Sequence, residues 1–134
     1  MSIVDRSSES DPVVLTSREM DVMNVLWRLG SGTVSEVLEG LADDLAYTTV
    51  LTILRTLEKK GHLRHRAEGR AHRYLPLVGR EEAQESAVRR MVGKLFAGSP
   101  ELLMAQLLSE RGLTEEQLRR LRALVDERLK EDEK

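Results

Sequence analysis

YTTVLTILRTLEKKGHLRHRAEGRAHRYL, residues 47–75, divides at Gly61 into a run with helical period and a run with the make-up of a basic hairpin. At about 100° per residue, Val50, Ile53, Leu54 and Leu57 gather on one side of a helix, while Thr48, Thr52, Arg55 and Lys59 fall in a narrow arc opposite them. The spacing predicts a helix over 46–60, stopped by Gly61 as a left-handed cap. Beyond Gly61, residues 63–67 and 71–75 are of strand length and flank Glu68-Gly69-Arg70, a short glycine-centred connection. Leu63 is the only large apolar residue of the first run, which therefore reads as an edge strand with its charges directed outward.

This segment is also the most positive in the chain. Arg55, Lys59, Lys60, Arg64, Arg66, Arg70 and Arg73 stand against Glu58 and Glu68, a local net of +5 in a chain that is formally −2, so the other residues sum to −7. All three histidines, His62, His65 and His72, fall here as well. A positive patch in a negative protein is the electrostatic footprint of a nucleic-acid-binding surface: phosphate neutralisation releases counterions, and the acidic remainder limits indiscriminate binding.

Working outward, helix starts are legible on both sides. Thr16 with Glu19 has capping-box spacing, and Met20, Met23, Leu26 and Trp27 recur behind it, predicting a helix over 17–29. Gly30 and Gly32 stop it; Thr33 with Glu36 then opens a short second helix carrying Val34, Val37, Leu38 and Leu41. Three helices followed by a basic hairpin is the order of a winged helix-turn-helix domain. Past Pro76 the chemistry fades. Residues 80–96 carry Ala83, Ala87, Val88, Met91, Val92 and Leu95 at helical spacing. Ser99-Pro100 opens a fifth helix with Leu102, Leu103, Met104, Leu107 and Leu108, ended by Gly112, and Thr114 with Gln117 opens a sixth with Leu118, Leu121, Leu124, Val125 and Leu129. Helices this short cannot enclose a core by themselves, so they are expected to interlock with a second copy; the competing arrangement is a folded-back monomeric bundle.

The expected architecture is thus mostly α with a small β-hairpin: a mobile amino-terminal arm over 1–12, a winged-helix DNA-binding domain over 13–78, and a helical dimerisation region over 79–134. In it Thr48, Thr49 and Thr52 present short hydroxyls and methyls to base edges, and Arg55 reaches a guanine or a phosphate. Lys59 and Lys60 anchor phosphates, and Arg70 at the hairpin tip touches backbone or the adjoining minor groove. Val88, Met91, Leu95, Leu103, Leu107, Leu118, Leu121 and Val125 are the expected dimerisation residues. Each has a plainer reading: threonines on an open face are often only solvated, and Arg55 and Lys59 can pair with nearby acids. Trp27 and Tyr74 read as packing residues. His62 and His65 without carboxylates or cysteines nearby are a weak metal pattern, with cationic histidine near phosphate the simpler role. The chain has no cysteine, which excludes disulfides, thiol catalysis and thiolate metal sites. No cofactor or catalytic activity is expected. With no apolar run long enough for a membrane span and no signal-peptide layout, a cytoplasmic location and no membrane insertion are expected.

Three runs, LTSREMDVMNVLW (15–27), AYTTVLTILRTLEKKGHLRHRAEGRAHRYLPL (46–77) and LLMAQLLSERGLTEEQLRRL (102–121), resemble the penicillinase-repressor (BlaI/MecI/CopY) family of transcriptional regulators, with the likeness running from Leu15 to about Lys130. The resemblance implies two winged-helix domains on a dyad, joined by carboxy-terminal helices and seated on an operator of inverted TACA/TGTA-type half-sites to block transcription. It places Thr48, Thr49 and Thr52 on the base-reading helix, Lys59 and Lys60 at its basic end and Arg70 on the wing. Staphylococcal-type members are cleaved at an Asn-Phe bond when a membrane sensor metalloprotease detects a β-lactam; here the matching pair is Gln106-Leu107, a departure from that pattern. Copper-responsive members carry a carboxy-terminal cysteine motif, which this chain lacks. The alternative from another class is a winged-helix protein-interaction module without sequence-specific DNA binding, in which the basic hairpin recruits an acidic partner.

Overall fold

The computed structural model describes residues 13–109 and 111–133; the expected arm over 1–12 lies outside them. Helix α1 (Ser17–Leu29) starts at Thr16, whose hydroxyl accepts from the Glu19 N–H at 3.1 Å while the Glu19 carboxylate accepts from the Thr16 N–H at 2.9 Å. Its buried stripe is Glu19, Val22, Met23 and Leu26, with Val25 beside it, whereas Met20 is left 44% exposed. The buried face is therefore shifted from the expected one, with the capping residue Glu19 inside it and Met20 outside. Gly30, at φ +91°, ends α1 and returns its N–H to the Leu26 carbonyl at 2.7 Å.

A two-residue strand, β1 (Gly32–Thr33), runs directly into α2 (Val34–Gly40), capped by the Thr33/Glu36 box. Sequence alone does not show β1, since two residues carry no period. Val34 and Val37 are buried, with Leu38 and Leu41 packed at the edge of the core. Gly40 lets α2 close on α1: a Cβ there would stand 2.7 Å from Val25 Cγ1 and 3.0 Å from Arg28 Nη2.

Helix α3 (Tyr47–Lys59) follows, and Gly61 at φ +89° turns the chain into β2 (Leu63–Glu68) and β3 (Ala71–Pro76). The sheet order is β1-β3-β2, antiparallel throughout, with Gly32 opposite Tyr74 and His65 opposite Tyr74 on the other side. Glu68 pairs with Ala71, leaving Gly69 and Arg70 as a two-residue turn; the positive φ falls on Gly69 alone, +62°, the first central position where a type II′ turn requires glycine. β2 is an edge strand buried only at Leu63, so its outward-directed charges agree with the sequence reading. Val22, Met23, Leu26, Val37, Val50, Leu54, Leu57, Leu63 and Tyr74 form the centre of the core, each 1% exposed or less. At about 1.5–3 kcal/mol per buried large apolar side chain, α3 is held chiefly by Val50, Leu54 and Leu57, which leaves its opposite face free of structural duty.

Helix α4 (Arg80–Leu95) crosses from one compact unit, ending at Arg89, to a second beginning at Arg90. Within the first unit, Ala83 joins the core, the Ser86 hydroxyl donates to the Val13 carbonyl at 3.1 Å, and Trp27 Nε1 donates to the Val78 carbonyl at 2.9 Å under the Arg80 guanidinium. In the second unit Ala97 and Gly98, at φ +53° and +78°, break the chain before α5 (Pro100–Leu108), which Ser99 caps through the Leu102 N–H. α5 ends at Leu108, short of Gly112, with Ser109 as its C-cap; the Ser109 hydroxyl donates to the Gln106 carbonyl at 2.9 Å. The Thr114/Gln117 box then opens α6 (Glu115–Asp132).

Candidate nucleic-acid interface

The exposed side of α3 follows from what its buried side must do. With Val50, Leu54 and Leu57 inward, Thr48, Thr49, Thr52, Arg55 and Lys59 are all exposed, as the helical period predicts. Thr52 has a narrower chemistry than the sequence suggests. Its hydroxyl donates to the Thr48 carbonyl, four residues back, at 3.0 Å, so it offers outward a methyl and an acceptor lone pair, not a free O–H. Ala46 at the N-cap supplies no side-chain acceptor and the first turn has no acid, so the amino end of α3 keeps its partial positive charge uncompensated. Tyr47 projects there, 51% exposed, a residue that sequence reasoning passed over because its neighbours set the apolar stripe.

The positive charges of this region divide into two groups. Arg55, Lys59, Arg64, Arg66 and Arg70 are exposed and, among the described residues, make no ion pair. Lys60 and Arg73 are committed inside the domain. Lys60 Nζ lies 2.8 Å from Glu19 Oε1 and 3.4 Å from the Val14 carbonyl, and that carboxylate is 6% exposed. Burial alone would push the Glu19 carboxyl up; the Lys60 ammonium and the Thr16 N–H outweigh it and hold the group below its ordinary value. Lys60, expected as a phosphate anchor, is thus placed as the counter-ion of a buried acid.

Arg73 is 16% exposed and holds Glu36 of α2, Glu68 of β2 and the Ser31 hydroxyl. Its guanidinium is the first cause of the lowered carboxyl pKa at both Glu36 and Glu68, and its own pKa is raised by the same contacts. The histidines are absorbed differently. His65 Nδ1 lies 2.7 Å from Glu58 Oε2, and the His65 and His72 rings stack with centroids 4.2 Å apart; His62 is buried at the start of the hairpin. Among the described residues no three of His, Asp and Glu converge in a way that could hold a metal ion. Tyr74, 1% exposed, packs in the core, and its hydroxyl is pushed up first by burial and then by the nearby Glu58 charge.

What remains facing solvent is one helix face of threonines and one basic hairpin, joined by Arg55 and Lys59. The penicillinase repressor family model matches residues 15–127. The chain belongs to this family. Among its penicillinase-repressor relatives, the transcriptional regulator BlaI of Mycobacterium tuberculosis is 48% identical over 67 residues, 48% of this chain and 49% of that protein. The aligned stretch thus spans about half the length of that regulator. The penicillinase repressor of Bacillus licheniformis is 26% identical over 115 residues, 84% of this chain and 90% of the other. Among solved structures, the DNA-binding domain of the repressor BlaI is 33% identical and covers 51% of this chain and 85% of its own, with a TM-score of 0.47.

The expected dimerisation residues stand open in the single chain. Val88, Met91, Leu95, Leu107, Leu118 and Val125 are between 39% and 73% exposed, and Leu103 and Leu121 are half-buried. Gln106-Leu107, the pair matching the cleavage position of some family members, lies inside α5. Among the described residues no helix is long and apolar enough to cross a membrane.

Proposed function

We propose that this chain is a cytoplasmic, non-catalytic, DNA-binding transcriptional repressor that acts as a homodimer on an inverted-repeat operator. The observation that carries the reading is the set of five cations, Arg55, Lys59, Arg64, Arg66 and Arg70, exposed and without an ion pair among the described residues, around the open threonine face of α3, in a chain of the penicillinase repressor family. In this reading α3 enters the major groove with Thr48, Thr49 and Thr52 at base edges, Arg55 at a guanine or phosphate, Lys59 on the backbone, and Arg70 on the neighbouring backbone or minor groove. Thr52 meets a thymine methyl or a base amino group, the partners its methyl and lone pair suit. Lys60, expected as a second phosphate anchor, is already paired with Glu19 and is the less available of the two lysines at the end of α3.

The open apolar side chains of α4, α5 and α6 support the dimer. Leaving Leu95, Leu124, Leu129 and Val125 more than half exposed forgoes about 1–2 kcal/mol each, the exposed share of full burial, which a second copy would recover. Relief of repression by a membrane sensor protease requires unwinding around Gln106-Leu107, because a protease takes its substrate extended and this bond is helical.

Binding of the full chain to its own promoter DNA, with random duplex as competitor and across a salt series, tests the reading. Retention against competitor, with two protected segments related by a dyad, supports a dimeric repressor. Equal loss to competitor moves the assignment to a protein-interaction module whose basic hairpin takes an acidic partner.

A further inference from the structure

We infer that Arg73 is the positioning residue of the wing, fixing the β2–β3 hairpin against the turn helix α2 so that Arg70 reaches its contact; this rests on the DNA-binding reading above. The guanidinium has five N–H donors, and five hydrogen bonds are present. Nε and Nη2 hold the Glu68 carboxylate at 2.7 and 2.9 Å, Nη1 and Nη2 hold the Glu36 carboxylate at 3.0 and 3.1 Å, and Nη1 also donates to the Ser31 hydroxyl at 3.1 Å.

The three partners belong to different elements. Glu68 is the last residue of β2, beside the turn; Glu36 is the residue whose carboxylate also takes the Thr33 N–H at 3.2 Å to cap α2; Ser31 precedes β1. One planar side chain therefore ties the hairpin tip, its inner strand and the start of the turn helix together. The backbone link between these parts is slight, since β1 pairs with β3 only through Gly32–Tyr74 and Thr33–Arg73. Leu63 and Tyr74 fix the base of the hairpin in the core, but β2 is exposed from Arg64 to Glu68, so apolar packing does not orient the tip. The same contacts draw the Glu68 carboxylate onto Arg73, leaving Arg70 as the unopposed charge of the turn. Lysine is not a substitute: it keeps the charge but lacks the fork that holds two carboxylates in one plane.

A double-mutant cycle between Arg70→Ala and Arg73→Lys, read as operator affinity of the full-length protein below its melting midpoint, tests this. In the wild-type background Arg70→Ala is expected to weaken operator binding about tenfold and to lower the salt slope by about one; in the Arg73→Lys background it weakens binding about twofold or less. A purely structural role for Arg73 leaves the factor for Arg70→Ala the same in both backgrounds, and that result overturns the inference while leaving the DNA reading intact. If Arg73→Lys does not fold, Glu36→Gln, which loosens one arm of the fork, takes its place in the same cycle. A wild-type protein that shows no preference for promoter DNA overturns the reading and the inference together.

Discussion

Lys60 Nζ and Glu19 Oε1 meet at 2.8 Å across the domain, joining the residue just past the end of α3 to the capping carboxylate of α1. Glu19 is buried and Lys60 is 36% exposed, so solvent screens one end of the pair. Lys60→Met is expected to destabilise the fold by about 1–3 kcal/mol, below the 3–5 kcal/mol typical of a fully buried pair, with Glu19→Gln recovering part of the loss in the double variant. Urea melts measure both. Operator affinity extrapolated to the folded fraction should be nearly unchanged; a loss of salt dependence instead would return Lys60 to the interface.

In the proposed reading, Thr52 and Lys59 divide specificity from affinity. Thr52→Ala removes the outward methyl and acceptor and is expected to narrow the gap between operator and mismatched sites by ~1–3 kcal/mol. Thr52→Val retains a methyl and should keep the part of that gap which a thymine methyl supplies. Lys59→Ala is expected to weaken all duplexes alike and to reduce the salt slope by about one. Competition titrations on matched and scrambled duplexes separate these outcomes; the same loss on every duplex for the threonine variants removes α3 as the reading helix.

The apolar residues of α5 and α6 predict the assembly state. Deleting residues 98–134 removes Leu103, Leu107, Leu118, Leu121 and Val125 together and should give monomers with weakened operator binding. The single change Val125→Asp, which puts a charge on a 51%-exposed apolar position, should raise the dimer dissociation constant without lowering the melting temperature of the winged-helix unit. Sedimentation over a concentration series is the check, and a truncated protein that still sediments as a dimer removes these helices from the interface.

Acid should loosen the domain through Glu19, Glu36 and Glu68. All three carboxyls are held below their ordinary value in the folded state. Depressed folded values mean that the folded form binds fewer protons, so the stabilisation is complete above about pH 4.3, the unfolded carboxylate value, and is lost as pH falls through the folded values. Melting temperature should therefore hold between pH 7 and 5 and drop below that range. In the Glu36→Gln/Glu68→Gln variant the acid drop should be shallower. An unchanged acid slope in that variant would show that the Arg73 contacts do not persist in solution.

Most of the helical framework was legible because its starts are written locally. Thr16/Glu19, Thr33/Glu36, Ser99-Pro100 and Thr114/Gln117 each place two or three residues within one turn, and all four are where the spacing put them. The threonine face of α3 was legible for the same reason, since helical period alone decides what lies opposite Val50, Leu54 and Leu57. The partners of Lys60 and Arg73 were not. Glu19 is 41 residues from Lys60 and Glu36 is 37 from Arg73, and no periodicity links positions brought together only by the tertiary fold. A count of charges gave the right local excess but could not tell which cations were free. β1 was hidden by its brevity, and the rotation of α1 by the assumption that a buried stripe is wholly apolar, where Glu19 is its first member.

Arg73 and Tyr74 are consecutive residues with opposite duties, one gripping carboxylates on one side of β3 and the other filling the core on the other. Because successive strand residues point to opposite faces, inserting or deleting one residue between the turn and Arg73 would exchange them, burying a guanidinium and stranding an aromatic ring in water. Changes in hairpin length are therefore tolerated only as matched additions to both strands or as enlargements of the Gly69-Arg70 loop. The wing of this protein can lengthen over evolutionary time in quantised steps, and its tip is the place where new contacts can be tried without disturbing the domain beneath.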